Sequence, residues 1–192
     1  MGRPFPLVDG HGDPPLHPDG MIQAEQVGRH LADRHATSDP IDAIYVTSLQ
    51  RTAQTAAPLA ATIGLTPIVE PNLREVFLGD WEGGAFREHV AAGDPVFTLV
   101  LTDERWDHIP NAEPLDDFDA RISAAITSIA AAHPDQHVVV VSHGGVIGHL
   151  LHRAAGSRRF AFTAVDNASI SELVVGAFGW NIRLYNQTSH LR

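Results

Sequence analysis

A run of four valines followed by a histidine and two glycines constrains the fold more than any other part of this chain. Val138–Val141 are consecutive β-branched residues, a composition that favours a strand covered on both faces, as in parallel sheets. The strand ends just before His143, and Gly144 and Gly145 allow the backbone to approach a ligand closely. A helix is predicted over residues 146–151. Its first N–H groups would point at any anion held beside His143, so this segment predicts an active-site edge.

Predicted strands and helices alternate along the 192 residues. The helices are predicted over residues 20–34, 49–63 and about 116–132. The strands are predicted over residues 41–47, 66–69, 138–141, 171–175 and 180–185. This alternation predicts one α/β domain over residues 1–192, with three layers (α/β/α), a mostly parallel sheet and helices on both faces. Residues 82–111 lack a regular pattern and are predicted to form an irregular excursion over the site.

Composition excludes several classes of function. The chain has no cysteine, so disulfides, thiolate nucleophiles and cysteine-dependent phosphatases are excluded. The net charge of -10 argues against nucleic acid or an anionic membrane as a partner, because both require a basic face. There is no signal-peptide core and no apolar run of the roughly 20 residues that a membrane span needs, which predicts a cytoplasmic protein. All 13 cationic residues are arginines, so a phosphate would be bound by guanidinium groups, histidines or backbone N–H groups.

Three separate segments bring complementary groups to the carboxyl ends of predicted strands. Arg51 lies in the first turn of a predicted helix, directly after the strand over 41–47. Glu75 has apolar neighbours and precedes a turn bounded by glycines at positions 79 and 83. His143 completes the set. In open parallel sheets, ligands bind at this edge, so the three groups are candidates for one site.

Taken in order, these segments resemble the histidine phosphatase superfamily, the phosphoglycerate-mutase-like enzymes. The sequence Asp-Pro-Pro-Leu at 13–16 is similar to the start of that family's first helix, and Asn-Ala-Ser-Ile at 167–170 is similar to its closing strands. The resemblance extends over nearly the full length. It implies a phosphoglycerate-mutase-like fold and the chemistry of a phosphomonoester hydrolase.

In this family a histidine on the first strand attacks phosphorus and forms a phosphohistidine, which water then discharges. By resemblance, Arg51 clamps the phosphoryl group, His143 donates to one of its oxygens, and the Gly144 N–H assists. Glu75 is the implied general acid and later the general base. The resemblance also implies metal-independent catalysis without a cofactor, on a small phosphorylated metabolite.

The family's Arg-His-Gly motif is not present intact. The segment Leu-Val-Asp-Gly-His-Gly at 7–12 is superficially similar, but it lacks the arginine, and His11 lies too close to Asp13. His11 is therefore interpreted as a loop histidine. Counting back instead places Gly2 and Arg3 where the motif's glycine and its follower belong, which makes both candidate phosphate-binding residues. We therefore expect that the first strand is missing, and that either a longer native chain or a homodimer compensates.

Two alternatives to the hydrolase remain. The first is a non-catalytic protein that binds phosphate or a phosphorylated ligand, because the chain keeps the anion site but has no identifiable nucleophile. The second is a phosphoglycerate mutase, which is disfavoured because the segment from 83 to 113 is short. Glu113 resembles part of a degraded Pro-Gly-Gly-Glu-Ser element and is interpreted as an acid at the start of a helix.

Overall fold

A computed structural model describes residues 7–8, 10–176 and 179–192. The strands in chain order are β1 (Leu7–Val8), β2 (His11–Gly12), β3 (Ala43–Val46), β4 (Ile68–Val69), β5 (Val138–Val141), β6 (Ile170–Gly176) and β7 (Gly179–Gln187). The α-helices are α1 (Pro18–Thr37), α2 (Gln50–Ile63), α3 (Ala85–Ala91), α4 (Pro95–Asp103), α5 (Leu115–Ala132) and α6 (Gly144–Ala155). None of the helices in these ranges is both long and apolar enough to cross a bilayer.

The central sheet is parallel and has helices on both faces. Its strand order is β4-β3-β5, and Ala43 to Val46 of β3 pair in register with Val138 to Val141 of β5. Ile44 of β3 packs in one cluster with residues of α1 and α2, whereas Tyr45 packs against a second cluster built from α5 and α6. Because successive side chains of a strand point to opposite faces, this partition confirms the three-layer α/β/α arrangement.

The cluster beneath α5 and α6 is the larger part of the core. Phe118 and Ile122 of α5 and Val146 of α6 are almost completely buried there. The spacing of 118 and 122 is one helical turn, so one face of α5 lies against the sheet and α6. The packing of this face sets the orientation of α5 relative to the sheet.

Strands β6 and β7 form an antiparallel ribbon that packs on the same core. Leu173 and Trp180 lie against the cluster that Val138 and Val140 of β5 also contact. Within the described residues, β5 pairs only with β3, and β6 pairs only with β7. One edge of β5 therefore has no strand partner in this part of the chain.

The prediction of an irregular excursion over residues 82–111 is wrong, because α3 and α4 lie within it. Asp94 begins α4 by accepting a hydrogen bond from Val96 N–H at 2.8 Å, and Pro95 occupies the first helical position. Aromatic packing holds this region to the domain, through the rings of Trp81, Phe86, Phe97, Trp106 and Phe160. Such packing has no short-range pattern in the sequence, so the two short helices could not be predicted from periodicity.

Replacing Phe118 by Ala should lower the free energy of unfolding by about 3–5 kcal/mol, because the change leaves a cavity in a rigid core. Leu99→Ala on α4 is the matched control, since Leu99 is 50% exposed and its truncation creates no cavity. Urea denaturation of both variants measures the difference. Equal losses in the two variants would contradict the assignment of Phe118 to the core.

Candidate functional site

His143 and Thr47 meet where β3 and β5 end. Val46 is paired with Val141, so the residues that follow the two strands leave the sheet side by side. Thr47 Oγ1 lies 3.0 Å from His143 Nε2, and both residues are buried. Thr52 in α2 contacts Thr47 Oγ1 at 3.1 Å through its own hydroxyl. Thr47 is not among the site residues predicted from the sequence, although its position directly after a parallel strand is a signal that points to it.

Glu75 joins this edge from the segment that follows β4. Its carboxylate accepts hydrogen bonds from Gly145 N–H at 3.1 Å and from Val76 N–H at 3.0 Å. A Cβ atom at position 145 would lie 2.4 Å from Glu75 Oε1, so the contact requires a glycine there. Burial raises the pKa of Glu75, and the two N–H donors and the charge of Arg51 oppose this shift. The carboxyl group is thus held against the start of α6, beside His143 and Gly144.

Arg51 reaches the site from the first turn of α2. Its Nη1 donates to the Gly12 carbonyl oxygen at 3.2 Å and lies 4.0 Å from Asp13 Oδ1. Burial lowers the pKa of Arg51, while the negative charges of Glu75 and Asp13 partly offset that effect. The structure therefore brings Arg51, Glu75 and His143 into one electrostatic neighbourhood. Gly144 is the first residue of α6, whereas Gly2 and Arg3 lie outside the described residues.

His143 is held in its neutral form. Burial lowers the pKa of His143 well below 6.5, and the positive charges of Arg51, His11 and Arg121 lower it further. A neutral imidazole carries one N–H donor and one acceptor nitrogen. The ring can therefore donate a hydrogen bond to an incoming oxyanion.

His11 is buried, so its interpretation as a loop histidine is wrong. It lies in β2, is 6% exposed, and its ring meets the Phe77 ring edge to face at 5.2 Å. Its Nδ1 is 3.8 Å from Glu82 Oε1, and Glu82 Oε2 accepts the Gly12 N–H at 2.8 Å. Burial lowers the pKa of His11 despite the nearby carboxylate of Glu82. Residues 77 and 82 cover His11, and nothing in the local sequence indicates this long-range contact.

A cavity of about 390 Å³ opens beside His11. Its lining includes four further polar or charged residues: Arg74, Asn111, Glu113 and Arg121. His11 lines this cavity and also contributes to the lowered pKa of His143, whereas Arg51, Glu75 and His143 are not among the residues that line it. In the described ranges, no group of three or more His, Asp or Glu side chains is arranged to hold a metal ion.

Comparison with known proteins identifies the class that this fold and site define. The sequence model of the histidine phosphatase superfamily (branch 1) matches residues 6–188, so the chain belongs to that superfamily. It is 30% identical over 187 residues to phosphoglycerate mutase-like protein 4 of Arabidopsis thaliana. That alignment covers 96% of this chain and 79% of the plant protein.

Solved structures share the phosphoglycerate-mutase-like fold. The mycobacterial glucosyl-3-phosphoglycerate phosphatase superimposes with a TM-score of 0.77 at 26% identity, covering 94% of this chain and 91% of that one. The α-ribazole phosphatase of Shigella flexneri gives a TM-score of 0.74 at 26% identity, with coverages of 94% and 88%. The mycobacterial phosphatase has also been solved with inorganic phosphate and with VO3.

Replacing Arg51 by Gln should raise the pKa of His143 toward 6.5, because the change removes a positive charge that disfavours the imidazolium ion. The measurement is an NMR titration of the His143 ring in the wild-type and variant chains. Arg29→Gln on the exposed face of α1 serves as the control and should leave that titration unchanged. An unchanged His143 titration in the Arg51 variant would show that the two groups are not neighbours.

Proposed function

We propose that this site binds the phosphoryl group of a small phosphomonoester and forms the binding half of a phosphohistidine hydrolase. The observation that carries the proposal is the convergence of Arg51, Glu75 and His143 from three separate segments at the ends of β3 and β5. Membership of the superfamily and the phosphatase names of structural relatives support the reaction class. The neighbours named as phosphatases act on small phosphorylated substrates, which is the substrate class proposed here.

The phosphoryl oxygens would be bound by three kinds of donor. The Arg51 guanidinium can donate to two oxygens at once, and the single N–H of neutral His143 can donate to a third. The Gly144 N–H stands at the start of α6, where the helix dipole favours a negative charge. Burial lowers the pKa of both Arg51 and His143, and the negative charge of a bound dianion would oppose this effect by favouring their protonated forms.

Glu75 would move the proton of the reaction. Its raised pKa keeps a larger fraction of the carboxyl protonated near neutral pH. When an attacking imidazole forms the N–P bond, the ester P–O bond breaks, and Glu75 protonates the leaving alkoxide. The resulting carboxylate then takes a proton from the water that attacks phosphorus, and the N–P bond breaks.

No attacking imidazole is assigned among the described residues. The tripeptide Arg-His-Gly occurs nowhere in residues 1–192, and His11 is covered by Phe77 and Glu82. One edge of β5 has no strand partner in the described ranges, and a first strand carrying the motif would fit there. These same observations favour the second candidate, a protein that binds phosphorylated ligands without turning them over.

Phosphate and orthovanadate should raise the melting temperature of the 192-residue chain, because they bind the folded state alone. Arg51→Met should weaken the vanadate affinity by at least about tenfold, as expected for the loss of charge-assisted hydrogen bonds. His143→Asn tests the second donor in the same assay, and Arg29→Met is the control for a lost surface charge. No stabilisation by either anion would refute the proposed phosphoryl site.

Hydrolysis of p-nitrophenyl phosphate separates the two candidates. We expect background turnover from the 192-residue chain, and metal-independent turnover after extension by the upstream codons of the same reading frame. In the active form, Glu75→Gln should lower kcat by about 10²–10⁴-fold through loss of general acid–base catalysis.

Two other results would change the assignment of the nucleophile or of the function. Turnover by the 192-residue chain that disappears in His11→Ala would make His11 the nucleophile and contradict the assignment above. Oxyanion binding together with an in-frame stop codon before any Arg-His codons would favour the non-catalytic protein.

A further inference from the structure

We propose that Arg121 is a positioning residue that acts, with its partner Glu113, to hold the Glu75 carboxyl at the start of α6. This inference rests on the proposed role of Glu75 as the general acid and base. It adds a function for Arg121 and Glu113, which have none in the proposed reaction. Arg121 lies on α5 and lines the cavity beside His11. Its contacts are with the backbone that carries Glu75.

The Arg121 guanidinium binds three carbonyl oxygens of that backbone. Its Nη1 donates to the carbonyl oxygens of Asn72 at 2.7 Å and Arg74 at 2.9 Å, and its Nη2 donates to that of Glu75 at 3.0 Å. The planar guanidinium has five donor N–H groups in a fixed fork, which suits several acceptors at once. A lysine ammonium has only three N–H groups on one nitrogen, so it cannot make these three contacts together with the bidentate pair to Glu113.

Glu113 fixes the guanidinium and extends the contact to the other side of Glu75. Its carboxylate accepts from Arg121 Nε at 2.6 Å and from Nη2 at 2.8 Å, a bidentate ion pair. Glu113 Oε2 also accepts the Phe77 N–H at 3.3 Å, and the Glu113 N–H donates to the Phe77 carbonyl oxygen at 2.9 Å. Residues 72–77 are therefore held both before and after Glu75.

Arg121, which makes these contacts, is supported by the buried core. Arg121 stands next to Ile122 and three positions after Phe118, and both of these side chains are buried in the main core cluster. The guanidinium also lies 4.9 Å from the centre of the Phe118 ring. Arg121 therefore links the backbone of Glu75 to the buried core. The Glu75 carboxylate in turn accepts a hydrogen bond from Gly145 N–H.

The chain contains a matched ion pair that does not touch the Glu75 segment. Arg105 Nε and Nη2 donate to the two carboxylate oxygens of Asp107 at 2.9 Å and 2.6 Å, in the same bidentate geometry. Loss of this pair measures how much a partly buried arginine–carboxylate pair contributes to the stability of the fold. The comparison of Arg121→Lys with Arg105→Lys therefore isolates positioning from simple loss of stability.

The experiment measures the Glu75–Gly145 contact directly by NMR. In Arg121→Lys, which keeps the positive charge, we expect a shifted Gly145 amide resonance, faster exchange of that amide and a changed titration of the Glu75 carboxyl carbon. Glu113→Gln should produce smaller changes of the same kind and is the second variant if Arg121→Lys fails to fold. Arg105→Lys should leave all three readouts as in the wild type.

Binding and turnover give the second readout. Arg121→Lys should keep the vanadate affinity within about twofold, because Arg51 and His143 are unchanged. In a hydrolysing form of the chain it should lower kcat by about 10–100-fold, with KM within about twofold, as misplacement of a reacting group predicts.

Two results would overturn the positioning role. One is an unchanged Gly145 amide and Glu75 titration in Arg121→Lys or, if that variant does not fold, in Glu113→Gln. The other is a loss of vanadate affinity as large as the loss of kcat, which would indicate general collapse of the site. If the wild-type chain binds no vanadate, the proposed function fails, while the NMR comparison still decides whether Arg121 positions Glu75.

Discussion

The parallel register between β3 and β5 pairs Val46 with Val141, and Thr47 and His143 consequently leave the sheet next to each other. The rest of the site is arranged around this junction. Helix α2 begins just after β3 and supplies Arg51, while α6 begins just after His143 and supplies the N–H groups of Gly144 and Gly145. A slip of one residue in the register would turn His143 away from Thr47, because side chains alternate between the faces of a strand.

Burial acts on each ionisable group of the site in the same sense. It lowers the pKa of Arg51 and His143 and raises the pKa of Glu75, so every shift favours the neutral form. An oxyanion would reverse the balance for Arg51 and His143, since a nearby negative charge favours protonated groups. In the proposed reaction the same burial would be useful for Glu75, which must hold a proton before it can donate one.

Two contacts transmit the rigidity of the core to Glu75. Arg121 links the Glu75 backbone to α5, and the close approach of the carboxyl to Gly145 links it to α6. The absence of a side chain at position 145 allows the second contact, because a Cβ atom there would lie only 2.4 Å from Glu75 Oε1. Glu75 is thus held from two sides by helices whose other faces are buried in one cluster.

The sequence by itself determined the alternation of strands and helices, the buried strand at Val138–Val141, and the strand ends that carry Arg51 and His143. These features follow from local periodicity and from residues directly before or after a strand, which neighbouring positions in the chain are sufficient to specify. Only the tertiary structure decided that His11 is buried, that Thr47 contacts His143, and that α3 and α4 form beneath an aromatic cluster. It also showed that Glu113, interpreted from the sequence as an acid at the start of a helix, forms an ion pair with Arg121. Each of these contacts joins atoms brought together by packing, and no short-range pattern in a single sequence records which distant residues will meet.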